Sequence, residues 1–135
     1  MENQSHSNEY YQMSFDQDDS MLKFTWKDKF LSFDKFKESV SFYATLAEKY
    51  RPKYLFVDAR KNTITMTEEI QGWHDNTIIP RYNKAGVKAM AFVVPQNVFS
   101  ELSHKKAFEQ KNAKDKMITT FHNTEQDAID WLKRQ

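Results

Sequence analysis

Asp58, Arg60, Lys61, Asn62, Thr65 and Thr67 crowd one short polar stretch that follows an apolar run, Tyr54-Leu-Phe-Val-Asp58. Two cations ahead of a helix start suit an anion. The first helical turn leaves backbone N–H groups free, and the helix dipole is positive there. A phosphate, a carboxylate or an acidic side chain of a partner fits that chemistry. The plainer reading gives the same residues to structure: Asp58 pairs with Arg60 or caps the turn, and Thr65 and Thr67 cap the helix. Every helix start needs such caps, so the plainer reading carries more weight. Phosphorylation of Thr65 or Thr67 would put strong negative charge at this helix end. Arg60 and Lys61 would stabilise it, whereas Glu68 and Glu69 would oppose it.

A second group surrounds Pro80: Trp73, His74 and Asp75 before it, Arg81 and Tyr82 after it. A helix broken by proline, with aromatics on both sides, can line a cleft, and histidine can act as acid, base or ligand. Neighbouring residues on a helix point in different directions, so His74 and Asp75 are not a prepared pair. The plainer reading packs Trp73 on a sheet and leaves His74 and Asp75 in solvent. His104 and His122 have no metal-ligand spacing with each other or with His74, and His6 lies near the start of the chain. Asp18-Asp19 sits inside a hairpin turn, the wrong place for the acidic pair of a phosphoacceptor domain. Lys105, Lys106, Lys111, Lys114 and Lys116 are diluted by Glu101, Glu109 and Asp115, which describes a solvated helix face rather than a nucleic-acid site.

Composition narrows the remaining classes. The 135 residues fit one domain, and 15% aromatics supply much of its core. A formal net charge of +1 gives no global pull toward nucleic acid or anionic membrane. Two glycines, Gly72 and Gly86, cannot build a Gly-rich phosphate loop, so no cofactor of that kind is expected. No cysteine is present, which removes disulfides and thiolate metal sites and suits a reducing cytoplasm. No apolar run approaches the ~20 residues that span a membrane. Residues 1–9 read as a short disordered lead-in to a domain over 10–135.

The elements that position these residues follow from periodicity. Tyr11, Met13 and Phe15, then Leu22, Phe24 and Trp26, alternate with polar residues around Asp16-Gln-Asp-Asp-Ser20. That is an antiparallel hairpin with one buried face. Phe33, Phe36, Val40, Tyr43, Ala47 and Tyr50 form one helical stripe after Ser32, and Arg51-Pro52 stops it. Tyr54 to Ala59 is a strand. Thr65 and Glu68 fit a capping box, with Thr67 as the competing cap. Gly86 sits where a left-handed helix end belongs. Val87 to Val94 is a central strand, Asn97 can cap the next helix, Met117 to His122 is a last strand, and Thr124 opens a final helix. The order ββαβαβαβα predicts an α/β domain with a mixed, mainly parallel sheet and an N-terminal antiparallel hairpin.

That order, together with Tyr54-Leu-Phe-Val-Asp-Ala-Arg60, the helix beginning near Thr65 and Ala85-Gly-Val-Lys-Ala-Met-Ala-Phe-Val-Val-Pro95, resembles the STAS-like fold of bacterial anti-sigma-factor antagonists. That fold is related to lipid-binding SEC14-like domains. The resemblance implies a partner-binding surface at the loop after the third strand and the start of the next helix. It also implies a phosphorylatable serine after an Asp. This chain instead reads Asp58-Ala-Arg-Lys-Asn-Thr-Ile-Thr-Met-Thr67, with no Asp-Ser-Ser-Gly.

Three functions follow as expectations. The first is a non-enzymatic, cytoplasmic regulatory or protein-interaction domain, with another protein docking on Asp58, Arg60, Lys61, Asn62 and the helix from Thr65. The second is a small apolar-ligand or lipid-binding module with a pocket near Trp73 and Tyr82. The third is an enzyme whose site assembles from distant positions. A homodimer through exposed aromatics is compatible with each.

Overall fold

Alternation builds the first sheet strands. In the computed structural model, which describes residues 4–62, 67–103 and 117–135, Tyr11 and Met13 of β2 (Tyr11–Asp16) are buried and Gln12 is exposed. Leu22, Phe24 and Trp26 do the same on β3 (Met21–Trp26). The turn between them closes through Asp19 N–H donating to Asp16 Oδ1 at 3.3 Å, so Asp18-Asp19 are turn residues. A further strand, β1 (Gln4–Ser7), pairs antiparallel with β2 inside the segment read as a lead-in. Gln-Ser-His-Ser has no apolar alternation. Its order comes from backbone pairing to a neighbour, which sequence periodicity does not report.

The sheet has six strands in the order β1-β2-β3-β4-β5-β6. The first three are antiparallel. β3, β4 (Tyr54–Asp58), β5 (Ala89–Val93) and β6 (Ile118–His122) run parallel. An α/β domain with a mixed sheet and an opening antiparallel hairpin is therefore present, with one strand more than expected.

Register sorts the side chains onto two faces. Met13, Phe24, Val57 and Phe92 align across one face. Against it lies α1 (Phe33–Tyr50), which buries Phe36, Val40, Tyr43, Ala44 and Ala47. Ser32 caps α1 by accepting from Lys35 N at 3.1 Å, and Arg51 ends it in the left-handed region (φ 50°) just before Pro52. The Tyr43 hydroxyl reaches through the core to Leu22 O at 2.6 Å, with Phe56 O at 3.2 Å. On the opposite face, Phe56, Ala89, Ala91 and Val93 meet Ala128 and Leu132 of α5 (Glu125–Lys133). The small side chains of Ala89 and Ala91 on β5 let this short helix pack closely.

The segment from Glu68 to Ala85 is one helical path in three parts. α2 (Glu68–Trp73) leads into a π-helical turn (His74–Ile78), and α3 (Ile79–Ala85) follows. Pro80 has no N–H, and its ring would clash with the carbonyl four residues back in a regular α-turn. The wider turn directly before it, closed by Ile79 N–H to His74 O, removes that conflict. Proline therefore reshapes the helix here without ending it. α3 ends at Gly86 (φ 91°), as the left-handed cap requires. α4 (Gln96–Ser103) begins one residue before Asn97, so Asn97 lies in the first turn instead of capping it.

Candidate functional site

β4 delivers Asp58 to the carboxyl end of the sheet, where α/β folds usually meet their ligands. Asp58 aligns with Thr25 and Val93 and so faces the α5 side. The residue is 7% exposed, and both carboxylate oxygens are engaged. Oδ1 accepts from Arg60 N at 3.1 Å and from Arg60 Nε at 2.9 Å, and Oδ2 accepts from Arg60 Nη2 at 2.6 Å. This is a bidentate, charge-assisted fork across two residues. The chain is turned by Ala59 N–H to Val93 O and by Asn62 N–H to Ala59 O. Hydrogen bonding to Asp58 raises the Arg60 guanidinium above its ordinary value, and the charge of Glu125 at the start of α5 adds to this.

The Arg60 side chain remains 44% exposed although its fork is fixed. Lys61 is exposed and, among the described residues, makes no ion pair. Asn62 is half-buried. Thr67 is the N-cap of α2, its hydroxyl accepting from Ile70 N at 3.2 Å. Thr65 lies outside the described residues. So do His104, Lys105, Lys106, Lys111, Lys114 and Lys116.

Trp73 and Tyr82 belong to the other face of the sheet. Trp73 is half-buried, with its ring 6.2 Å from Phe36 and Lys37 Nζ 5.9 Å from its centroid. Tyr82 is 1% exposed and packs edge-on against Tyr43 at 6.1 Å and His74 at 6.4 Å. Burial pushes its hydroxyl far above the ordinary tyrosine range. His74 is not a solvated neighbour of Asp75. Its side chain is 16% exposed, while that of Asp75 is 52% exposed. Desolvation lowers the imidazole, and the Asp75 carboxylate 4.0 Å away only partly offsets this. Packing against Tyr82, not spacing along the helix, decides its environment.

Sequence reading passed over Phe30. Phe30 is 79% exposed in the loop after β3. Its signal was an aromatic after a charged run, Lys27-Asp-Lys29, two residues before the helix cap Ser32. His122, at the end of β6, shares a hydrogen bond with Thr120 Oγ1 at 2.8 Å and lies against the Trp131 ring. Burial lowers its imidazole as well. Among the described residues, no group of three or more His, Asp or Glu side chains is placed to hold a metal ion. None of the described helices is long and apolar enough to cross a membrane. Comparison with known proteins found no matching family model, curated protein or solved structure.

Proposed function

We propose that this chain is a non-enzymatic, STAS-like regulatory domain that binds another protein at the carboxyl edge of its sheet. The observation that carries this reading is the Asp58–Arg60 fork. A half-exposed arginine normally loses side-chain freedom when it binds. Here Asp58 has already fixed it, which lowers the ordering cost of docking. Lys61 beside it supplies an uncommitted positive charge, and the Thr67 cap fixes where α2 begins. The apolar-ligand reading draws less support, because Tyr82 is enclosed by Tyr43 and His74 in the core.

The test is quantitative affinity capture from cells with the full chain, comparing wild type with Arg60→Ala and Lys61→Ala. The expected result is one co-purifying protein that falls about tenfold or more in each variant, the loss typical of an interface hot spot. Unchanged recovery of every co-purifying protein, with both variants folded, would overturn the docking rim.

A further inference from the structure

Basic residues gather at the edge of the sheet where its parallel strands begin, opposite the rim. α1 ends at Lys49 and Arg51, and β4 starts after Lys53. α3 ends just past Lys84, and β5 starts after Lys88. Lys88 N–H donates to Lys53 O at 2.8 Å, so these two lysines open neighbouring strands. The hydrogen bond from Arg81, with the Lys84 charge adding to it, holds the Glu48 carboxyl below its ordinary range, which places Lys84 beside the end of α1. Lys49, Arg51, Lys53, Lys84 and Lys88 are all exposed, and among the described residues none of them makes an ion pair. Glu48 is taken by Arg81 at 2.7 Å. The acidic turn between β2 and β3 borders the group, with Asp18 exposed and Asp19 paired to Lys133 at 3.6 Å.

Helix ends account for part of this. Cations suit the negative end of a helix dipole, which explains Lys49 and Lys84. It does not explain Lys53 and Lys88, which precede strands. Like charges set side by side on neighbouring strands repel, and among the described residues no carboxylate pairs with either. The formal net charge of +1 conceals this local excess. We infer that the amino edge of the sheet docks on an anionic bilayer surface, with headgroup phosphates and carboxylates facing Lys49, Arg51, Lys53, Lys84 and Lys88. The inference does not rest on the Asp58–Thr67 rim, which lies at the other edge and would face away from the bilayer. The kind of cation decides the occupant. Four of the five are lysines, and lysine is depleted in protein–protein interfaces. Nucleic acid is recognised by arginine forks and stacked aromatics, but Tyr50, beside Lys49, is already stacked on Phe15 at 4.6 Å. The diffuse potential of anionic headgroups attracts each ammonium without demanding a fixed geometry.

The experiment is co-sedimentation of the full chain with phosphatidylcholine vesicles, with and without phosphatidylserine, at low and high salt. Binding is expected only when phosphatidylserine is present, and is lost as salt screens the charges. Each cation at such a surface changes partitioning about fivefold, so the double variant Lys53→Gln, Lys88→Gln should bind about 25-fold more weakly. The double variant Lys53→Arg, Lys88→Arg keeps the charge and should bind as the wild type does. Both side chains are exposed, so neither variant should melt at a lower temperature. Equal binding to vesicles without phosphatidylserine overturns the inference, as does no binding at low salt. Full binding by the glutamine variant, or an equal loss in the arginine variant, overturns it too. A DNA duplex that binds more tightly than the vesicles at matched salt would assign the edge to nucleic acid instead. The rim is decided separately, by recovery of a partner protein with Arg60→Ala and Lys61→Ala.

Discussion

Tyr43 shows how much one hydroxyl can organise. It sits on α1, yet its oxygen lies against carbonyls of two different strands, Leu22 on β3 and Phe56 on β4. Desolvation, with Tyr82 adding to it, pushes its ionisation well above the ordinary value, so it stays a neutral donor. The ring contacts with Phe24 and Tyr82 do not involve that oxygen. Tyr43→Phe therefore isolates the hydrogen bond and should cost about 1 kcal/mol. Urea unfolding reads this as a lower midpoint with an unchanged slope. An unchanged midpoint would mean that the hydroxyl contributes nothing net. Residue types foretold some contacts at this scale and not others. An aspartate at a strand end with an arginine two positions on was enough to suggest the Asp58–Arg60 pair. Phe30 was missed because exposure depends on what flanks a side chain in space, and the clamps on Lys27 and Lys29 come from β1 and the turn after it.

Elements were more legible, because their signals repeat. The stripe of α1, the alternation of β2 and β3, and the apolar runs of β4 and β5 each involve several residues, and each appears in place. What escaped had no repeating signal. β1 is held by its pairing with β2, and the π turn resolves a steric conflict that Pro80 announces without specifying its outcome. Gly86 is a case where one residue type settles the geometry. Its φ of 91° is unfavourable for any side chain, while a Cβ there would meet nothing within 4 Å. The cost of substitution is then backbone strain alone. Gly86→Ala should lose about 1 kcal/mol of stability. Gly86→Asn should lose less, because asparagine tolerates the left-handed region. Equal losses in thermal or denaturant unfolding would point to packing and not backbone strain.

At the scale of the whole molecule, the sheet puts the two candidate groups on opposite faces. Asp58 and Arg60 open toward the side where α5 packs, while Trp73, His74 and Tyr82 belong to the core beneath α1 and the π turn. Linear order offered no way to see this, since period-two alternation gives relative faces within a strand but not which helix covers each face. The separation has a consequence for acid stability. His74 and His122 lie on different elements, and burial lowers both imidazoles. In the unfolded chain each takes up a proton near the ordinary value of about 6.5, and in the folded chain each does so only at lower pH. Protons therefore bind preferentially to the unfolded state as pH falls below that value. The stability these groups contribute is intact above it and is lost as pH drops toward their folded values. Unfolding free energy measured from pH 7.5 to 5 should decline on the acid side. His74→Gln should flatten the decline more than His122→Gln, because His74 is the more deeply enclosed and the Asp75 carboxylate only partly compensates. A stability profile that is level through this range, or one flattened only by His122→Gln, would show that the π turn opens enough to hydrate His74 before the protein unfolds.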